Sequence, residues 1–239
     1  ANLLYLSYDF KPKGFLILAS GYNSDGSIIK QKEWINFSYR HQLILVGLSF
    51  SSRIEDLRNG NGYYYASKGS GKLLLDGLKQ IYPIDLPIYL YGFSGGAHFV
   101  SRLAEWIPGK IGGFCAYSAA WWDKPTYLKN PPKGIIACGE KDERLGASLS
   151  YFLYGRKVNR QWTWCRVFNA NHAQSAKFED FVRNYFESII SKLNKMDVWI
   201  DITNGQVVST NISVLKPALT CYLPSIELLD EWKSLNGVK

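Results

Sequence analysis

Apolar positions along the chain change period repeatedly. Short runs rich in branched and aromatic side chains alternate with longer stretches at helical spacing. The runs predict strands over Leu3–Tyr8, Phe15–Ala19, Leu43–Ser49, Ile88–Phe93, Gly113–Ser118, Gly134–Cys138 and Thr163–Phe168. Several are continuous rather than alternating, as strands covered on both faces require. Between them, one helix is predicted from Ile28 to Arg40. Leu74, Leu75, Leu78 and Ile81 mark a second, ended by Pro83. A third carries Ala97, Val100, Ser101 and Ala104 on one face and stops before Pro108. The clearest runs through Phe178, Phe181, Val182, Tyr185, Phe186, Ile189, Ile190 and Leu193, spaced i, i+3, i+4, i+7. This alternation predicts an α/β fold, a mostly parallel sheet with helices on both faces.

The tail has a different rhythm. Val198–Ile202 and Gln206–Ser209 flank Thr203-Asn204-Gly205, and Asn-Gly is a strong hairpin signal. A short helix from about Ser225 to Leu235 follows Pro224. The expected organisation is one domain over 1–239, with 197–239 an appended hairpin and helix. The connection from Ser118 to Gly134 is short and rich in Trp and Pro, which leaves little room for a long helical lid, so a reduced lid is expected.

Composition narrows this picture without redirecting it. With 239 residues, 46% hydrophobic and 20% charged, the chain can bury one large core. No apolar stretch approaches the roughly 20 residues that span a bilayer. The formal charge of +8 is scattered, with no basic run of five or more, which argues against a nucleic-acid partner. A mild attraction toward anionic substrates or surfaces is the remaining inference. Nothing at the start reads as a secretory leader, although a chain beginning at Ala1 leaves a processed start open. Cys115, Cys138, Cys165 and Cys221 form no C-x-x-C, so neither a zinc site nor a redox motif is predicted. Three lie in strand-like runs and read as buried free thiols, which favours a reducing compartment.

Chemistry enters at Gly92-Phe93-Ser94-Gly95-Gly96, a G-x-S-x-G directly behind the run Pro87–Tyr91. A serine hydroxyl is a poor nucleophile unless a tight strand-to-helix turn lifts it clear of the sheet beside a base. Three histidines are available as that base. His41 precedes its strand and falls at the opposite sheet edge from Ser94. His98 is tied into the helix that Ser94 begins. His172 follows the strand Thr163–Phe168 in the loop Asn169-Ala170-Asn171, at the carboxyl edge where catalytic loops gather. His172 is therefore the expected base. The acid comes from Gly139-Glu140-Lys141-Asp142-Glu143, after the strand Gly134–Cys138. Asp142 is favoured over Glu140 and Glu143 by loop length, with Asp123 the runner-up.

The order Ser94, Asp142, His172 resembles that of the α/β-hydrolase family over about residues 3 to 195. In detail the chain is similar to a small esterase branch: dienelactone-hydrolase-like, feruloyl-esterase-like and polyhydroxyalkanoate-depolymerase-like proteins. The resemblance supports the choice of Asp142 and implies a carboxylic ester hydrolase acting through an acyl-enzyme on a small-molecule ester, with no cofactor or metal. It also implies an oxyanion hole of two backbone amides, Gly95 and, in the loop Ala19–Asn23, Tyr22. Many relatives have His-Gly where this chain has Ser20-Gly21. The family sheet would place two strands before Phe15, and only one is legible. Peptidase or thioesterase chemistry on the same triad is the nearest alternative, and a noncatalytic binding protein retaining the fold is another.

Two further features have competing readings. Gly69-Ser70-Gly71-Lys72 echoes a phosphate loop but lacks its first glycine and final hydroxyl, so a helix start is expected there. Trp121 and Trp122 either wall a substrate cleft for an apolar or aromatic acyl group or pack beneath a short loop. Trp162 and Trp164 read as packing in the last strand.

Overall fold

The computed structural model describes residues 2–191, 196–209 and 219–238. The main sheet has seven strands in the order β1-β3-β2-β4-β5-β6-β7, and a second sheet has three, β10-β8-β9. The chain divides into two compact units, Ala1–Ala116 and Tyr117–Lys239.

The first unit holds β1 (Asn2–Leu6), β2 (Gly14–Ala19), β3 (Leu43–Ser49) and β4 (Ile88–Phe93), with β5 (Ile111–Tyr117) at its end. β2 pairs in parallel with β3 on one side and β4 on the other. Every residue of β2 and β4 is buried, so both faces are covered and the alternation of a half-exposed strand is absent. β1 is antiparallel to β3 at the sheet edge, and among the described residues it is the one strand ahead of β2. Its helices are α1 (Lys32–Arg40), α2 (Ile54–Arg58), α3 (Ser70–Ile81) and α4 (Gly95–Trp106). α3 starts at the phosphate-loop echo, as expected of a helix start, and stops two residues short of Pro83.

The helix expected over Ile28–Arg40 is broken. A 3-10 turn covers Ser27–Lys30, Gln31 is extended, and α1 begins at Lys32. The buried stripe of α1 is Trp34, Phe37 and Ser38. In a continuous helix Ile28 and Ile29 would lie about 120° and 140° around the axis from Trp34. Both are nevertheless buried, and the break at Gln31 lets them turn inward.

The second unit contains β6 (Gly134–Gly139) parallel to β7 (Trp162–Val167), with α5 (Leu145–Lys157) and α6 (Ala176–Ser191). Residues 119–133 contain no helix or strand. In α6, Phe178, Phe181, Val182, Tyr185 and Phe186 are fully buried, and Leu193 of the predicted pattern lies outside the described residues. α5 is an element that apolar periodicity did not predict. The tail forms the predicted hairpin, β8 (Val198–Asp201) and β9 (Val207–Ser209). An unpredicted third strand, β10 (Thr220–Leu223), pairs with the free side of β8, and α7 (Leu229–Asn236) follows.

These tail elements cover β7, the last strand of the main sheet. Trp232 Nε1 donates to the Trp164 carbonyl at 2.7 Å, Asn236 Oδ1 accepts the Arg166 amide at 2.8 Å, and the Phe168 amide donates to the Leu235 carbonyl at 2.8 Å. An edge strand's outward backbone groups are thus satisfied within the chain. Arg156 of α5 ties in the second sheet: its Nε donates to the Thr220 carbonyl at 2.8 Å, and its guanidinium lies 3.9 Å from the Trp199 ring centre. Burial pushes that guanidinium down to about 10, so it stays charged at neutral pH. All four cysteines are buried free thiols, as expected for the three in strand-like runs; Cys221 lies in the unpredicted β10.

Candidate active site

Ser94 sits between β4 and α4 with φ 52° and ψ −112°, a conformation that a side-chain-bearing residue adopts only under strain of about 1–3 kcal/mol. Its neighbours make the turn possible. A Cβ on Gly96 would stand 1.9 Å from the Ala19 carbonyl oxygen, and the Gly96 amide donates to the Ser20 carbonyl at 2.8 Å. Only glycine fits there, so the second glycine of the motif locks the elbow onto the end of β2. The first turn of α4 closes back on the Ser94 carbonyl through the Ala97 amide at 3.1 Å.

The loop after β2 comes alongside. A Cβ on Gly95 would lie 2.7 Å from the Tyr22 backbone nitrogen, so the two predicted oxyanion residues are neighbours. The Tyr22 side chain is turned away, its hydroxyl donating to the Ser52 carbonyl at 2.7 Å.

In the second unit, Asp142 and His172 meet. Asp142 Oδ2 lies 2.7 Å from His172 Nδ1, with the carboxyl side chain fully buried and the imidazole about one-third exposed. An ionised carboxylate only accepts, so Nδ1 carries the proton in this bond. Oδ1 accepts the Arg144 amide and Arg144 Nη1, each at 3.1 Å. The Ser118 hydroxyl bonds the same carboxyl. Burial pushes the Asp142 carboxyl up, but the bonds from His172, Arg144 and Ser118 outweigh it and hold it below the usual carboxylate range.

The backbone around this pair is braced. The Lys141 amide donates to the Ala170 carbonyl at 2.8 Å, joining the acid turn to the histidine loop. The Tyr117 hydroxyl donates to the Ala173 carbonyl at 2.8 Å on the other side of His172. Ser118 itself is left-handed, φ 60°, and its amide donates to the Ala137 carbonyl at 2.9 Å. Neither Ser118 nor Arg144 stood out in the sequence. The legible signal for Ser118 was a small hydroxyl residue at the carboxyl end of a predicted strand.

The remaining candidates have other occupations. Glu140 accepts the Asn169 amide at 2.8 Å, and Glu143 is exposed and pairs with Arg144 at 3.2 Å. The carboxylate on Nδ1 of His172 is thus Asp142 rather than Glu140, Glu143 or Asp123. His41 caps α1 and packs on Phe37, with ring centres 4.5 Å apart. His98 is buried and stacked on Tyr64 at 4.3 Å. Trp122 stacks on Tyr151 of α5 at 4.3 Å, whereas Trp121 is 38% exposed. Trp162 and Trp164 are buried in β7, in the packing role expected of them. No group of three or more metal-ligating side chains occurs among the described residues.

No protein-family model matches the sequence, and a search of curated proteins returns no match. Solved structures do resemble it. One is the fluorophosphonate-binding serine hydrolase FphF of Staphylococcus aureus. It is 17% identical, with a TM-score of 0.57 over 79% of this chain and 91% of that one. Esterase PE8 is 16% identical, with a TM-score of 0.60 over 79% and 97%. A ferulic acid esterase is 13% identical, with a TM-score of 0.56 over 75% and 86%. A predominantly parallel seven-stranded sheet, a strained serine between β4 and α4, and these likenesses together make the fold of this chain the α/β-hydrolase fold.

Proposed function

We propose that the chain is a serine hydrolase that cleaves a carboxylic ester through Ser94, His172 and Asp142. The observation that carries this reading is the 2.7 Å bond between the buried Asp142 carboxylate and His172 Nδ1. That pair follows β6 and β7, and Ser94 follows β4, each at the carboxyl end of its strand. The strained Ser94 backbone supports the assignment of the nucleophile. The serine hydrolases and esterases that share the fold support the reaction class.

In this mechanism Ser94 Oγ attacks the ester carbonyl carbon while its proton passes to His172 Nε2. The carbonyl π pair becomes an oxyanion, held by the amides of Gly95 and Tyr22. Asp142 stabilises the imidazolium and keeps it oriented without taking its proton. The imidazolium then protonates the departing alkoxide, leaving an acyl-enzyme, and a water activated by His172 releases the acid. On this reading Trp121, exposed on the segment after β5, is the candidate to contact an apolar acyl group. Trp122 is instead stacked on Tyr151, which favours a packing role for it.

Replacing Ser94→Ala should reduce turnover of a p-nitrophenyl ester by about 10⁶-fold if the three residues act as a unit. Near-normal hydrolysis by that variant sinks the proposal. Oxyester, thioester and anilide of one acyl group, compared by kcat/KM, separate esterase from thioesterase and peptidase action.

A further inference from the structure

Three consecutive tyrosines, Tyr63–Tyr65, take no part in that chemistry, yet each reaches a different piece of the nucleophile's surroundings. Tyr63 is 8% exposed, and its Oη accepts the Asn23 amide at 3.3 Å, one residue past Tyr22. A Cβ on Gly95 would stand 2.8 Å from that same oxygen. The hydroxyl therefore abuts both strands of backbone that carry the two oxyanion amides. Tyr64 stacks on His98 of α4, ring centres 4.3 Å apart and planes 13° from parallel. Tyr65 lies under the Arg102 guanidinium of the same helix, 4.6 Å from the ring centre, and its hydroxyl donates to the Leu57 carbonyl at 3.1 Å.

Ser52 completes the arrangement. Its Oγ accepts the Tyr63 amide at 3.0 Å, and its amide donates to Asn23 Oδ1 at 3.0 Å. Its carbonyl accepts Asn23 Nδ2 at 3.2 Å and the Tyr22 hydroxyl at 2.7 Å. Two residues are suited to this by backbone. Asn23 is left-handed at φ 49°, a conformation that asparagine tolerates better than most. Gly62 has φ 79°, and a Cβ there would lie 2.6 Å from Ser52 Oγ.

We propose that Tyr63, Ser52 and Asn23 form a bracket that sets the spacing of the Tyr22 and Gly95 amides. Tyr63 and Asn23 are then positioning residues for ester cleavage. The inference rests on the hydrolase reading. An oxyanion hole works only if its donors are already aimed, 2.7–3.1 Å from where the negative oxygen will form, before the charge develops. Backbone amides cannot be aimed by rotating a side chain, so the aim must come from whatever holds the two segments apart. The Gly96–Ser20 backbone bond fixes the two segments at one end, and beside Tyr22 and Gly95 themselves the spacing is held by one buried hydroxyl and one asparagine. Neither needs to touch the substrate, so their loss acts on the transition state rather than on substrate binding.

Tyr63→Phe deletes a single oxygen and tests this directly. It should lower kcat on a p-nitrophenyl ester about tenfold with KM within about twofold. It should also weaken a trifluoromethyl ketone inhibitor by a similar factor, because the adduct with Ser94 places an oxyanion in the hole. Asn23→Gly keeps the left-handed backbone, loses both side-chain bonds to Ser52, and carries the same expectation should Tyr63→Phe fail to fold. Unchanged kcat and inhibitor affinity in a folded variant overturn the bracket, as does a loss confined to KM. Failure of a fluorophosphonate to label Ser94 in the unmodified protein overturns the hydrolase reading and the bracket with it. Labelling with an indifferent variant overturns the bracket alone.

Discussion

Asp142 is surrounded as an ionised group has to be, with one oxygen given to His172 and the other to the amide and guanidinium of Arg144. Asp142→Asn keeps the shape but presents an amide that can donate, so Nδ1 of His172 no longer has to carry the proton. On the proposed mechanism kcat should fall by about 10⁴-fold with the fold retained, measured by steady-state kinetics beside urea unfolding. The carboxyl's lowered pKa adds a stability signature. Its folded value lies below the unfolded value of about 3.9, so its contribution is present above that pH and is lost as pH falls through the folded value. The gap in urea midpoint between the unmodified protein and Asp142→Asn should therefore shrink from pH 5 downward. Parallel pH profiles contradict the assignment of charge. At this scale the Asp142–His172 pair was legible: His172 was chosen from strand-end placement and Asp142 from loop length together with the family resemblance, and the structure bonds the two. Ser118 and Arg144 were not singled out, because a hydroxyl at a strand end and a surface-type cation gain meaning only once the carboxyl they bind has been placed.

Among elements, α5 shows where pattern reading stops. Its buried positions are Ser148, Tyr151, Phe152, Gly155 and Arg156, an i, i+3, i+4, i+7, i+8 stripe. The spacing is helical, but the residues are a hydroxyl, a glycine and a cation as well as two aromatics, so a hydrophobic pattern does not register. Gly155 has its own reason: the Trp162 ring occupies the space where a Cβ would be, with ring carbon as near as 2.0 Å. Gly155→Ala raises intrinsic helix propensity yet should destabilise the protein by about 1–3 kcal/mol, read from the urea midpoint at constant m-value. A gain in stability would mean that the ring can move aside. The same logic explains β10, which is short and partly polar and gains its place from β8 rather than from its own pattern. By contrast β2, β3, β4 and α6 were legible because large apolar side chains dominate their buried positions, even though α6 also buries Glu179, Arg183 and Ser188.

For the whole molecule, the fold class followed from alternation of strand and helix signals, while the role of the tail did not. Residues after 197 read as an appendage, since a hairpin signal says nothing of what the hairpin packs against. In the structure Trp232, Leu235 and Asn236 satisfy backbone groups of β7, and Thr220 with Trp199 receives the buried Arg156 guanidinium. Removing one side of a buried charged arrangement costs about 3–5 kcal/mol, and an uncovered sheet edge invites pairing between copies. A protein ended before Val198 should therefore aggregate or fail to give a cooperative melt, checked by light scattering and circular dichroism. A soluble, cooperatively melting truncation would return the tail to the status of an accessory.

The covering of β7 also sets a schedule for biosynthesis. A ribosome delivers the chain from its amino end, so Trp164 and Arg166 emerge some seventy residues ahead of the Trp232 and Asn236 that will bond them. At roughly 5–20 residues per second the strand waits several seconds with its outer edge bare. Residues Tyr117 onward thus reach their final arrangement only after Trp232 and Asn236 have emerged, and a ribosome stalled before them leaves behind a chain with an open, adhesive strand.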